Sequence, residues 1–152
     1  MPAWLRVAIL KFSRWRALSA GERAMALEAM LFLLWADALI HLVPVRHWRS
    51  ALERREDHPA PALVLRNTKR AVERAAPRSP APSRCLAQAL AAAWMLRRRG
   101  VGGTIHVGAV RGGTGQPAFH AMLVVGPYTV TGAVDAAAFT ALRPATRSTS
   151  RP

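Results

Sequence analysis

The sequence predicts an α+β fold, in which N-terminal helices precede a helix that packs on an antiparallel sheet. Two patterns carry this prediction. Apolar residues recur at helical spacing up to about residue 99, and three β-like segments follow one another after residue 104. The chain has 152 residues, of which 51% are apolar, so it is long and apolar enough to bury a core.

Three helices are predicted in the first half of the chain. Residues 19–22, Ser-Ala-Gly-Glu, have the spacing of a capping box, so a long helix begins there and runs until Pro44. A shorter helix over residues 46–55 and a linker at residues 58–61 come next. Another helix is expected over residues 63–75.

The prolines of residues 77–82 mark the main internal boundary, because each proline disfavours helix at the residue before it. We therefore divide the chain into a helical region (1–76), a core (77–142) and a tail (143–152) that is predicted to be disordered. The core is expected to open with a helix over residues 85–99, which Gly100 ends.

Three strands are predicted after that helix, over residues 104–110, 119–125 and 128–134. Residues 111–117 form a glycine-rich loop between the first two strands. Gly126-Pro127 is a tight turn between the last two. The glycine run lacks the GK[ST] ending of a phosphate-binding loop, so we interpret it as a connection only.

The charge of the chain is strongly positive, with a formal net value of +14, carried almost entirely by arginine. Such a surface attracts polyanions, acidic peptides or an acidic partner protein. Arginine-rich composition also arises in GC-rich genomes, so charge alone does not identify a function. Nucleic-acid binding ranks last among the candidate functions, because few aromatic residues are interleaved with the charge in the C-terminal half.

The compartment predicted by the sequence is the cytoplasm. A single cysteine excludes an intrachain disulfide, which fits a reducing environment. Residues 25–45 are the most apolar stretch, but Glu28 and Asp37 interrupt it, so no integral membrane span is expected. The N-terminus lacks the apolar centre of a signal peptide. The N-terminal segment is predicted to form a basic amphipathic helix. That helix either contacts a membrane surface or a partner, or packs against the rest of the protein as a first helix.

Cys85 is the only cysteine, and it lies at the predicted start of the fourth helix. After Glu73 the chain contains two histidines, His106 and His120, and one carboxylate, Asp135. A thiol nucleophile needs a base to take its proton and a third group to orient that base. The positive end of the helix dipole favours the thiolate. These residues therefore predict a Cys-His-Asp hydrolase.

The choice of His120 as base depends on strand register. If the turn at residues 126–127 is a two-residue hairpin loop, His120 lies opposite Ala133, and Asp135 falls diagonally on the same face. A register change of one residue would reverse this placement. His106 has no carboxylate close by in sequence, so His120 is favoured and His106 stays as the second candidate.

Other interpretations of these residues are open. An isolated cysteine beside leucine and alanine is often a small core residue, and Asp135 is also placed to cap a helix starting at Ala136. One cysteine and scattered histidines show no zinc-ligand spacing, so neither a metal nor another cofactor is expected.

Four segments of the chain resemble the leader-peptidase B proteins of lasso-peptide biosynthesis. They are residues 83–90 (Ser-Arg-Cys-Leu-Ala-Gln-Ala-Leu), 95–101 (Met-Leu-Arg-Arg-Arg-Gly-Val), 105–110 (Ile-His-Val-Gly-Ala-Val) and 119–122 (Phe-His-Ala-Met). These proteins belong to the transglutaminase-like superfamily, so the resemblance implies that residues 77–142 form a transglutaminase-like or papain-like core. Residues 22–52 are similar to the helical region of that family, so the resemblance extends over roughly residues 20–142.

The resemblance implies a papain-like cysteine peptidase with Cys85 as nucleophile, His120 as general base and then acid, and Asp135 as the third member. Such an enzyme removes the leader from a ribosomally made precursor peptide, and a partner cyclase then closes the macrolactam. No recognition-domain sequence is evident upstream of the helices. The leader is therefore expected to be held by a separate leader-recognition protein.

The chain departs from the family pattern at several positions. Ala81 stands where the family commonly has Trp, Met122 where it has Trp, and Val124 where it has an acid. The family aspartate usually lies about a dozen residues after the histidine, near Gly132, whereas Asp135 comes later. A β-bulge would reconcile that offset. These departures motivate an alternative, a non-catalytic transglutaminase-like scaffold that binds the precursor or the cyclase.

Overall fold

A computed structural model describes residues 17–47, 60–79, 85–111, 117–133 and 139–141. Three α-helices, α1 (Ala20–Leu42), α2 (Ala62–Ala75) and α3 (Cys85–Arg97), precede four strands, β1 (Thr104–Arg111), β2 (Pro117–Val125), β3 (Tyr128–Thr131) and β4 (Phe139–Ala141). Short 3-10 turns lie at Val45–His47 and Ala76–Arg78. The strands form one antiparallel sheet in the order β3-β2-β1-β4, which confirms the α+β prediction.

Helix α1 begins where its capping box predicts. The Glu22 backbone N–H donates to Ser19 Oγ (3.2 Å), and the Ser19 backbone N–H donates to the Glu22 carboxylate (3.0 Å). Arg74 of α2 also donates to that carboxylate (3.1 Å). The Ser19 backbone hydrogen bond, with Arg74, lowers the pKa of Glu22 below its ordinary 4.5. The helix ends at Leu42, two residues before Pro44, as predicted.

Helix α3 is the centre of the molecule. Most of its residues from Ala87 to Leu96 are buried against α1, α2 and the sheet. Gly100 ends the turn after the helix with φ +72°, and the Val101 N–H returns to the Leu96 carbonyl. This left-handed C-terminal cap is the one that the sequence predicts. The site helix is therefore fixed along most of its length.

Helix α1 packs on α3 and α2 through one face only. Ala29, Leu33 and Ala36 are buried in the common core. The partly buried carboxylate of Glu28 accepts from Arg99 (2.7 Å) and forms an ion pair with Arg98 (3.4 Å). These contacts join the middle of α1 to the C-terminal end of α3.

With 23 residues and a mean hydropathy of 1.7 in its most apolar window, α1 is long and apolar enough to cross a membrane. Core helices of soluble proteins meet the same criterion. The absence of an integral span therefore stays a prediction.

Strands β1 and β2 pair without interruption, with Gly108 opposite His120 and His106 opposite Met122. The Gly126-Pro127 turn is present, and it connects β2 to β3.

Strand β4 lies beside β1, so the sheet is not a simple meander. The sequence prediction missed this strand. Ala136, where the alternative helix capped by Asp135 would begin, lies outside the described residues.

A β-bulge corrects the predicted register between β2 and β3. Val125 pairs with Tyr128 and Val124 with Thr129, as a two-residue loop requires, but Leu123 pairs with Thr131. Val130 is the extra residue, and both it and Thr131 are buried, which breaks the alternation of the strand. The placement of His120 opposite Ala133 is therefore wrong by one residue.

Several predictions fall on residues outside the described ranges. They concern the N-terminal amphipathic segment, most of the helix expected over residues 46–55, the glycine-rich loop and the C-terminal tail. The helix predicted over residues 63–75 is confirmed, and it begins one residue earlier.

Candidate functional site

Cys85 is the first residue of α3, and its side chain is partly buried at the edge of the core. The thiol lies 3.9 Å from the carbonyl oxygen of Phe119 in β2. A thiol at that distance donates a weak hydrogen bond at most. The geometry places Cys85 at the positive end of a helix dipole and against the residue that precedes His120.

His120 lies on β2 with its ring partly buried. Its Nε2 atom is 2.9 Å from the carbonyl oxygen of Gly132. A carbonyl oxygen only accepts, so Nε2 carries the hydrogen and donates it. In the neutral ring the other nitrogen, Nδ1, then holds the lone pair. Nδ1 is therefore the atom of His120 that is able to take a proton from a thiol.

Gly132 is the residue just after β3, and no other amino acid fits its position without strain. Its φ is +69°, a conformation that side chains other than glycine rarely adopt. A Cβ atom there would overlap the carbonyl oxygen of Ala121, and it would lie 3.1 Å from His120 Nε2. The peptide of Gly132 is thus packed directly against β2 and the imidazole.

Asp135, the predicted third member of the site, lies outside the described residues. The register argument that placed it diagonal to His120 no longer applies, because the bulge shifts β3 by one residue. Asp135 as an orienting group stays a prediction that rests on the family resemblance.

His106, the second candidate base, shares a face of the sheet with His120, because His106 pairs with Met122 and His120 with Gly108. Its ring is also partly buried. Two features favour His120 over His106 as the base. The ring of His120 has a hydrogen bond to Gly132, and His120 follows Phe119, whose carbonyl oxygen contacts the thiol.

Two cavities in the described part of the chain lie away from these residues. Two grooves, of about 440 and 510 Å³, run on either side of Leu27 on α1. Arg74 and Arg78 line the first groove, and Arg98 and Arg99 line the second. Within the described ranges, no group of three or more His, Cys, Asp or Glu residues is arranged to hold a metal ion.

Sequence reasoning proposed Cys85 and His120 as site residues, and it did not predict the hydrogen bond between His120 and the Gly132 carbonyl. Glycine stands twelve residues after His120, near the position of the family aspartate, but its residue type gives no sign of an acceptor. Residue-type patterns list side chains, and a main-chain acceptor leaves no residue-type signature.

Comparison with known proteins gives a family for most of the chain. The family model described as the transglutaminase-like superfamily matches residues 29–144. The matched range contains Cys85, His120 and Gly132, and it begins inside α1, so it includes helices from both sides of the proline-rich segment. No curated protein and no solved structure matches the chain.

Proposed function

The chain belongs to the transglutaminase-like superfamily, which includes cysteine peptidases, and from that premise we propose that it is a cysteine peptidase. One observation carries the proposal. The only thiol of the chain begins α3, and its sulfur lies 3.9 Å from the main chain of the residue before His120. A nucleophile and a base on adjacent elements are the minimum that acyl transfer requires.

The proposed reaction proceeds in two steps. Nδ1 of His120 takes the proton of Cys85, and the thiolate attacks the carbonyl carbon of the scissile peptide bond. The C–N bond breaks, the imidazolium gives its proton to the leaving amine, and a thioester remains on Cys85. Water then attacks the thioester while His120 takes its proton, and the Cys85 sulfur leaves as thiol when that proton is returned.

The proposed substrate is the leader-bearing precursor of a lasso peptide, which the enzyme cuts between leader and core. The resemblance of the segment around Cys85 to leader-peptidase B proteins supports this assignment. The cut releases the amine that a separate lasso cyclase joins into the macrolactam. No cofactor takes part in the proposed steps, and the proposed location is the cytoplasm.

A separate leader-recognition protein is the proposed partner, and α1 offers a surface for it. Leu27, Leu31, Trp35 and Leu42 follow one side of the helix, and each is more than half exposed, up to 79% for Leu42. We call these four side chains the apolar stripe. Exposed apolar residues grouped in this way are typical of protein interfaces. Binding of a partner would remove them from water.

A non-catalytic scaffold is the second candidate, favoured by residues 122, 124 and 132, which depart from the family pattern. On this alternative the fold binds the precursor or the cyclase, and Cys85 is an ordinary core thiol. A thiol that reacts with iodoacetamide no faster than free cysteine would favour the scaffold.

The test is a cleavage assay read by mass spectrometry. The full-length protein is incubated with the precursor encoded beside it and any separate leader-binding protein. We expect one cut between leader and core, absent in Cys85→Ala. Full cleavage by that variant would refute the assignment of the nucleophile. No cut by the wild-type protein, with protein folded and leader bound, would support the scaffold.

A further inference from the structure

We infer that the main-chain carbonyl of Gly132 is the group that orients His120, in the place where a catalytic triad has a carboxylate. Its catalytic meaning rests on the proposed peptidase function. The geometric part stands independently, on the 2.9 Å hydrogen bond between His120 Nε2 and the Gly132 oxygen. Gly132 is a positioning residue, because it contacts the imidazole and not the reacting atoms.

Three features of the fold direct this carbonyl toward the ring. The bulge inserts Val130 into β3, so the strand reaches Gly132 with its register shifted by one residue relative to β2. The positive φ of Gly132 then turns the chain out of the sheet. Finally, the close packing against Ala121 leaves space for a peptide group but none for a Cβ atom. The second and third features depend on the residue at position 132 being glycine.

The hydrogen-bond capacity of the ring limits what Asp135 is able to do. Nε2 carries one hydrogen, and in the structure that hydrogen is already donated to Gly132. A carboxylate would have to displace the carbonyl to bind the same hydrogen. The remaining nitrogen, Nδ1, must stay free of a donor to act as base toward Cys85. The site is therefore a Cys-His dyad with a neutral main-chain acceptor.

A carbonyl and a carboxylate differ in one respect that matters for the chemistry. Both hold the hydrogen on Nε2 and so fix the tautomer, but only the carboxylate brings a full negative charge to stabilise the imidazolium. Removal of the orienting carboxylate from a triad enzyme lowers kcat about 10⁴-fold. In this chain Asp135→Asn should lower kcat by much less, because the tautomer does not depend on the carboxylate.

The first experiment is NMR of the ¹⁵N-labelled full-length protein, at a pH where the imidazole is neutral. His120→Gln identifies the His120 ring signals among those of the five histidines. We expect the Nε2–H tautomer in the wild-type protein and also in Asp135→Asn. A change of tautomer in Asp135→Asn would overturn the inference, and so would an Nδ1–H tautomer in the wild-type protein. This readout needs no substrate.

The second experiment compares Gly132→Ala with Gly100→Ala. Both glycines have φ near +70°, but a Cβ atom at Gly100 would meet nothing within 4 Å. Gly100 also lies at the far end of α3 from Cys85. For Gly132→Ala we expect a mixture of tautomers and a loss of kcat of about 100-fold from displacement of the imidazole, with KM little changed. Gly100→Ala should keep the wild-type tautomer and kcat.

Equal effects of the two glycine substitutions on kcat would overturn the inference. If Gly132→Ala fails to fold, the His120 tautomer and the kcat of Asp135→Asn decide whether Gly132 orients the imidazole.

Failure of the inference is distinguishable from failure of the proposed function. A protein that cuts nothing but keeps the Nε2–H tautomer in Asp135→Asn contradicts only the peptidase. A protein that cuts the precursor but loses about 10⁴-fold in Asp135→Asn contradicts only the role of Gly132.

Discussion

The packing around Gly132 predicts an unequal loss of stability for two otherwise similar substitutions, Gly132→Ala and Gly100→Ala. The left-handed backbone of each glycine, with φ of +69° and +72°, should cost an alanine about 1–2 kcal/mol. At Gly100 nothing further is expected, because the new methyl group points into open space. At Gly132 the methyl group overlaps a main-chain carbonyl of β2, and overpacking of this kind costs about 1–3 kcal/mol more.

The expected losses are therefore about 1–2 kcal/mol for Gly100→Ala and about 2–5 kcal/mol for Gly132→Ala. Urea unfolding followed by circular dichroism measures both losses. If the slope of the unfolding free energy against urea concentration is unchanged, the shift in the unfolding midpoint reports a change in stability. Equal losses for the two variants would refute the close approach of Gly132 to Ala121. The geometry assigned to the His120 hydrogen bond would then be refuted as well.

Three further predictions concern α1 and its contacts. Leu33→Ala should destabilise the fold by about 3–5 kcal/mol, because the Leu33 side chain is only 1% exposed. Leu31→Ala should change stability by less than about 0.5 kcal/mol, because Leu31 is 68% exposed. It should instead weaken binding of the leader-recognition protein. Urea unfolding and a binding titration test this pair, and the opposite pattern would contradict the apolar stripe. The lowered pKa of Glu22 means that its carboxylate stabilises the fold above the ordinary pKa of 4.5 and loses that contribution as the pH falls through the lowered value. Glu22→Gln should therefore flatten the acid limb of a stability–pH curve, and an unaltered curve would contradict the capping contacts. Glu28→Gln should destabilise the fold, because it leaves Arg98 and Arg99 facing a neutral group, and thermal unfolding that is unaffected would contradict the ion pairs.

The parts of the fold that could be predicted from the sequence are set by local interactions. The capping box at Ser19 and Glu22, the left-handed cap at Gly100 and the Gly126-Pro127 turn each involve residues close together in the chain. Their geometry follows from the residue types alone. The start of α3 at Cys85 was predicted from the same kind of pattern.

The parts that could not be predicted are set by contacts between distant segments. The bulge at Val130 depends on how β3 packs against the core, and an alternating pattern does not reveal where one extra residue is inserted. Strand β4 pairs with β1, from which it is separated by the whole β2–β3 hairpin. The acceptor of His120 is a main-chain atom twelve residues away. The sequence therefore suggested the thiol and the imidazole as candidates, but it did not reveal the main-chain acceptor of the imidazole.

Activation of Cys85 by His120 is the basis of the proposed function, and iodoacetamide alkylation of the full-length protein across pH tests it most directly. His106→Ala is the matched control, because it removes the other partly buried histidine on the same face of the sheet. We predict that Cys85 reacts faster than free cysteine near neutral pH, that His120→Ala abolishes this excess rate, and that His106→Ala keeps it. Equal rates for the wild-type protein and His120→Ala would contradict the claim.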